Sequence, residues 1–122
     1  MTRDELIDRV LIKLRVLEPG KTAGTDDDTL VGDKYDAIYQ SLNNVGLVNW
    51  ASDDEITSTH ELSIIKIVSA ECADDFYIEE PRYTRLQIEA YGPRLDGQGG
   101  AMADLRILEN QPYVSDEEPE YY

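Results

Sequence analysis

Leu6, Ile7, Val10, Leu11, Leu14 and Leu17 recur at steps of mostly three and four residues near the start of the chain, with Asp8, Arg9, Lys13 and Arg15 between them. Side chains three and four apart share one face of an α-helix, so the spacing predicts an amphipathic helix. Thr2-Arg3-Asp4-Glu5 has the form of a capping box, in which a hydroxyl and a carboxylate satisfy the unpaired amides of a helix start. The helix is predicted to begin there and to stop at Glu18-Pro19-Gly20. A second stripe, Leu30, Val31, Tyr35, Ile38, Tyr39 and Leu42, predicts a helix from Thr29 to Asn44, with Asn43-Asn44 and Gly46 as stop signals. The stretch between the two, residues 18–28, combines Pro19, Gly20, Gly24 and Asp26-Asp27-Asp28 and reads as a loop. Its last acids are placed to cap the second helix and to sit against its positive dipole end.

Ser58-Thr59-His60-Glu61 repeats the capping-box form. Behind it Leu62, Ile64, Ile65, Ile67, Val68, Ala70, Cys72, Ala73, Phe76 and Tyr77 are apolar around much of a helical circumference, which predicts the central and most buried helix. The β-branched run Ile64 to Val68 also suits a strand. The cap before it and the Ala-Glu-Cys-Ala segment behind it favour the helix. Pro81 suits the first turn of a fourth helix carrying Tyr83, Leu86, Ile88 and Tyr91 up to the break at Gly92-Pro93. Ala101 to Leu108 returns to helical character through Met102, Leu105 and Leu108. The glycines of the 97–100 segment follow no predicted strand, which argues against a phosphate cradle, and a loop or a tolerated interruption of the helix is expected there. Trp50, in a short apolar stretch, is expected to anchor its loop on the core. The fold class is therefore all-α: a small helical bundle of four to five helices over residues 1–108, with an extended C-terminal arm at 109–122.

Charge adds a constraint that the apolar pattern does not contain. Acids outnumber bases 26 to 11 among 122 residues, a formal net charge of −15. Phosphate affinity comes from neutralising the nucleic-acid backbone with Lys and Arg, so this balance argues against a nucleic-acid binder. It favours solubility, a basic protein partner, or contact with DNA that must not adhere. Cys72 is the only cysteine, which excludes a disulfide within the chain, and no Cys/His spacing proposes zinc; an intracellular setting fits. The N-terminal segment lacks the apolar core of a signal peptide, and no stretch approaches the roughly 20 apolar residues that cross a bilayer. No membrane association is expected.

Candidate chemistry changes the picture little. Asp26-Asp27-Asp28 invites a calcium reading, but an EF-hand needs Gly and Glu where this chain has Val31 and Ala37. His60, the only histidine, has no nucleophile that the sequence places beside it. Paired carboxylates abound in so acidic a chain and single out no general acid. The expectation is a protein that is not an enzyme, with no cofactor and no metal site. From Glu109 onward Asp116, Glu117, Glu118 and Glu120 lack basic neighbours, while Pro112 and Pro119 block regular structure. A solvated tail fits this composition, and so does a binding arm. Tyr113, Tyr121 and Tyr122 favour the arm, because aromatic rings anchor interfaces. The candidate partner-binding residues are Tyr113, Asp116, Glu117, Glu118, Tyr121 and Tyr122.

The order of elements resembles the podovirus tail accessory factor family, the head-completion or head-to-tail adaptor proteins of tailed phages. The resemblance runs through Glu5-Leu6-Ile7 to Leu14, a loop with Gly20, Tyr35-Asp36-Ala37-Ile38 to Leu42-Asn43 and Trp50. It continues in Ser69-Ala70-Glu71-Cys72-Ala73, Tyr91-Gly92 and the Pro/Tyr-rich C-terminal extension, and so covers nearly the whole chain. Members commonly end the first helix on Leu-Gly, where this chain has Leu14-Arg15. The resemblance implies a helical subunit of a homo-oligomeric ring, usually a dodecamer, at the head-tail junction of the virion. Such a subunit is made in the host cytoplasm and binds the portal protein and tail or nozzle proteins, its arm reaching along the portal or a neighbour. Genome DNA would pass through the ring without specific binding. Two other readings compete: an acidic DNA mimic that occupies the basic cleft of a nucleic-acid-binding partner, and a hydrolase acting through two carboxylates.

Overall fold

The structure is a computed structural model that describes residues 1–51, 55–92 and 99–110, the last three by backbone alone. Among the described residues it contains five α-helices, a short 3-10 turn and no strand: α1 (Arg3–Lys13), α2 (Thr25–Asn44), the turn Ser58–His60, α3 (Glu61–Cys72), α4 (Arg82–Tyr91) and α5 (Gly100–Asn110). The all-α bundle expected from the periodicity is what forms, and the β-branched run Ile64 to Val68 is helical.

α1 starts as its capping box predicts. The Glu5 amide donates to Thr2 Oγ1 at 3.2 Å and the Thr2 amide donates to Glu5 Oε1 at 2.8 Å. Leu6, Ile7, Val10 and Leu11 are fully buried. The helix ends earlier than Glu18-Pro19-Gly20, however. Arg15 takes a left-handed backbone, φ 62°, its amide donating to the Ile12 carbonyl at 2.9 Å and the Val16 amide to the Leu11 carbonyl at 3.0 Å. That pair of reversed bonds is a Schellman motif, which satisfies the last carbonyls and turns the chain away. Leu17 is consequently off the helix, though it still packs against the core.

α2 begins at Thr25, four residues before the expected Thr29, and its N-cap, Gly24, makes no side-chain cap bond. Asp26, Asp27 and Asp28 lie inside the first turn rather than ahead of it. They complement the helix dipole from there and cap nothing. Val31, Tyr35, Tyr39 and Leu42 face inward as expected. Arg3 reaches across from α1, lies over Gly32, and pairs with both carboxylate oxygens of Asp36 at 3.2 and 3.0 Å.

The second capping box does not form. Ser58–His60 closes as a 3-10 turn, the His60 amide donating to the Thr57 carbonyl at 2.8 Å, and α3 starts with no side-chain cap bond. The Glu61 carboxylate is engaged elsewhere: the Met1 ammonium donates to it at 2.7 Å and to the Ile56 carbonyl at 3.2 Å. The Ile56 amide returns a bond to the Met1 carbonyl at 2.8 Å. The start of the chain thereby holds the 55–57 segment against the bundle.

α3 is the centre of the molecule, as its composition predicts, and packs against each of the other four helices. Ile64, Ile67, Val68, Ser69, Cys72 and Ala73 are essentially inaccessible. Two residues expected on its apolar circumference are outside it: Leu62 is 70% and Tyr77 88% exposed. The regular helix stops at Cys72, and the chain leaves through a second Schellman-type reversal. Here the Tyr77 amide donates to Asp74, the Ile78 amide donates to Ala73, and Tyr77 holds φ 56°. Pro81 stands at the N-cap of α4, one position before the first turn, after a cis Glu80–Pro81 peptide. Leu86 and Ala90 are buried, whereas Ile88 is 43% exposed. α4 stops at Gly92, φ 84°, and α5 starts at Gly100, φ 68°. A Cβ on Gly92 would lie 2.6 Å from Gly99, and one on Gly100 would lie 2.7 Å from the Glu89 carbonyl oxygen. Glycine is required because the two backbones touch there. Ala101 and Leu105 of α5 complete the core. Among the described residues no helix is long and apolar enough to cross a membrane.

Candidate interaction surface

The partner-binding residues expected from the sequence, Tyr113, Asp116, Glu117, Glu118, Tyr121 and Tyr122, lie outside the described residues. The bundle itself offers two places where side chains gather at a surface.

The first is a groove of about 400 Å³ over α3, with Lys34, Ala37, Ile38, Ser41 and Leu42 of α2 on one side and Tyr91 of α4 and Met102 of α5 on the other. Lys34 Nζ stands 3.3 Å from Asp75 Oδ2. The Tyr91 hydroxyl donates to the Glu71 carboxylate, and burial together with that carboxylate pushes the phenol well above its ordinary range. These groups are paired with each other, which makes the groove an apolar trough with a satisfied rim.

The second is a recess of about 480 Å³ where the α1 terminus meets the turn between α3 and α4, bounded by Leu14, Arg15, Val16, Phe76, Tyr77, Ile78, Pro81 and Arg82, with Glu79 and Glu80 alongside. The Arg82 guanidinium donates to the Lys13 carbonyl at 2.9 Å and so places positive charge on the C-terminal end of α1, where the helix dipole favours it. Arg15 is exposed and enters no ion pair among the described residues. Both Schellman residues with left-handed backbones, Arg15 and Tyr77, line this one hollow. The apolar pattern puts Tyr77 on a helix face and Arg15 on a polar one, and neither position points to a recess. The usable signal was the run Phe76-Tyr77-Ile78 so close to Pro81, which leaves no length for a helix to bury it.

Trp50, His60 and Cys72 are all packed into the core. Trp50 is 8% exposed, and its Nε1 donates to the Tyr35 hydroxyl at 3.1 Å while its carbonyl accepts from the Tyr39 hydroxyl at 2.6 Å. His60, 2% exposed, stacks edge-on against Trp50 with ring centroids 5.2 Å apart. Burial drives the Cys72 thiol up to about 12, the wrong direction for a nucleophile at neutral pH. Among the described residues no group of three or more His, Cys, Asp or Glu side chains is arranged to hold a metal ion. No family model, curated protein or solved structure matches the chain.

Proposed function

We propose that the chain is a structural head-to-tail adaptor subunit, which forms a ring beneath a phage portal, joins it to the tail and lets the genome pass without adhering. The observation that carries this reading is that the segments bearing the resemblance, far apart in sequence, meet in one core. Leu6 to Leu14, Tyr35 to Leu42, Trp50 and the small-residue run Ser69 to Ala73 all contribute to it. A net charge of −15 supports the same reading, because an acidic channel wall repels phosphate and lets DNA slide. In this reading Tyr113, Tyr121 and Tyr122 enter apolar pockets on a neighbouring subunit or on the portal, and Asp116, Glu117 and Glu118 face basic side chains.

The test is to mix the chain with the portal protein encoded beside it and to measure mass and negative-stain shape. A stoichiometric ring extending the portal is expected, and a chain lacking residues 109–122 should leave the portal bare. If the intact chain also leaves the portal bare, the adaptor reading fails. Capture of a DNA-binding protein, released by duplex DNA, would then identify a DNA mimic.

A further inference from the structure

Ala37 to Ser52 is a run of sixteen residues without an Asp, Glu, Lys or Arg, the longest in a chain of which 30% is charged. Burial explains only part of it. Tyr39, Leu42, Leu47, Val48 and Trp50 are in the core, but Ala37, Gln40, Ser41, Asn44, Val45 and Asn49 are exposed. The first half of the same helix bears Asp26, Asp27, Asp28, Asp33 and Asp36, so α2 is acidic in its first half and neutral in its second. Ala37, Ile38 and Ser41 also form one wall of the groove over α3, and Val45, 68% exposed, follows one turn beyond Ser41 on that side. The ionic groups at the Lys34 end of the groove are engaged among themselves, Lys34 with Asp75 and Glu71 with the Tyr91 hydroxyl. A neutral, partly apolar face on a strongly acidic molecule has the composition of an interface core, where charge is depleted. The missing charge also selects the partner. A basic partner is drawn to acids and gains nothing from a neutral face, whereas an acidic partner can approach only where the charge is absent. A second copy of this chain, at −15, is such a partner.

We propose that two copies of the chain meet at this face, α2 against α2 and antiparallel about a two-fold axis near Ser41, with Val45 of each copy over Ala37 and Ile38 of the other at the groove. Antiparallel packing sends the acidic first half of each helix away from that of its neighbour; parallel packing would set the two acidic halves side by side. A contact made by the same face of both copies closes at two. It is therefore distinct from the head-to-tail contacts of a ring, and it stands whether or not the adaptor reading does.

Sedimentation velocity on the full chain, from micromolar to hundreds of micromolar concentration, reads the association. The unaltered chain is expected to pass from monomer to dimer and no further as concentration rises. Raising salt from about 0.01 M to about 0.1 M, which shortens the screening length from about 30 Å to about 10 Å, should strengthen the dimer, because it screens the repulsion between two acidic chains and this contact holds no ion pair to weaken. Ser41→Glu adds a charge at the axis and should keep the chain monomeric. Asn43→Glu makes the same change in charge on the other side of α2 and should leave association as it was. Both positions are exposed, so both variants are expected to melt with the unaltered chain, and lost association is then not lost fold. The axis has a readout of its own, since a residue beside it faces its own counterpart. With diamide as the oxidant, Ser41→Cys should give a disulfide-linked pair and Asn43→Cys should not, while the native Cys72 is buried and does not compete. A chain that is monomeric at every concentration overturns the proposal, as does an assembly that grows beyond two or weakens with salt. So does a Ser41→Glu chain that associates like the unaltered one, or crosslinking without preference for position 41.

Discussion

At the scale of single residues, Ser69 is the position where burial and chemistry conflict. Its hydroxyl is buried without a hydrogen-bond partner among the described residues, inside the most crowded helix of the bundle. Burying a hydroxyl unpaired costs about 1–3 kcal/mol, whereas an alanine there leaves a void smaller than a methyl group. Ser69→Ala is therefore expected to leave stability unchanged or to raise it by about 1 kcal/mol, measured by urea unfolding at constant m-value. A loss of more than that would mean the hydroxyl has a partner. Trp50 was legible in advance as a loop anchor, because a lone large indole in an apolar stretch has few other uses. The left-handed Arg15 and Tyr77 were not. Their backbones follow from where the chain must turn, and neither residue type announces such a turn.

At the scale of elements, the apolar stripes placed α1, α2, α3 and α4 correctly, and the errors gather at helix ends. An end is decided by competition among local hydrogen bonds, and the competitor was sometimes far away in sequence. The start of α3 is the clearest instance: Glu61 has the right spacing from Ser58 to close a capping box, yet its carboxylate is held by the ammonium of Met1. That pairing has a pH signature. The hydrogen bond that the ammonium donates to Glu61 raises its pKa above the ordinary value of 8.0, with burial opposing. A raised pKa in the folded state means that the contribution is fully present below pH 8 and is lost as the pH climbs through the raised value. Stability of the chain should thus decline on the alkaline side, and Glu61→Gln should flatten that decline while costing most near neutral pH. Thermal melts across this range decide it, and parallel pH profiles for the two chains would remove the pairing from the account. The glycines around residue 100 show the opposite kind of legibility. The sequence marks them as a helix break at Gly92 and a loop or interruption before Ala101, but only the contact between the α4 and α5 backbones explains why Gly92 and Gly100 carry no side chain.

For the whole molecule, length, charge balance and apolar pattern sufficed for an all-α bundle with one core, whereas the recess required two turns distant in sequence to meet and could not be read from either. The central placement of α3 has a consequence for how the molecule opens. Every other helix leans on it, so no pair of helices can separate and leave a folded remainder that still shields it. Partial openings should be confined to the periphery, and exposure of the Ile64 to Cys72 amides should require the entire core to come apart. Hydrogen–deuterium exchange is expected to find those amides the slowest, with an opening free energy equal to that of global unfolding, and the amides of α5 among the faster ones. Equal protection in α3 and α5 would instead describe a bundle without a keystone. A chain built in this way cannot shed helices one at a time under strain: the bundle holds its shape until it fails completely, and a load applied at one face reaches the others through a core that stays rigid.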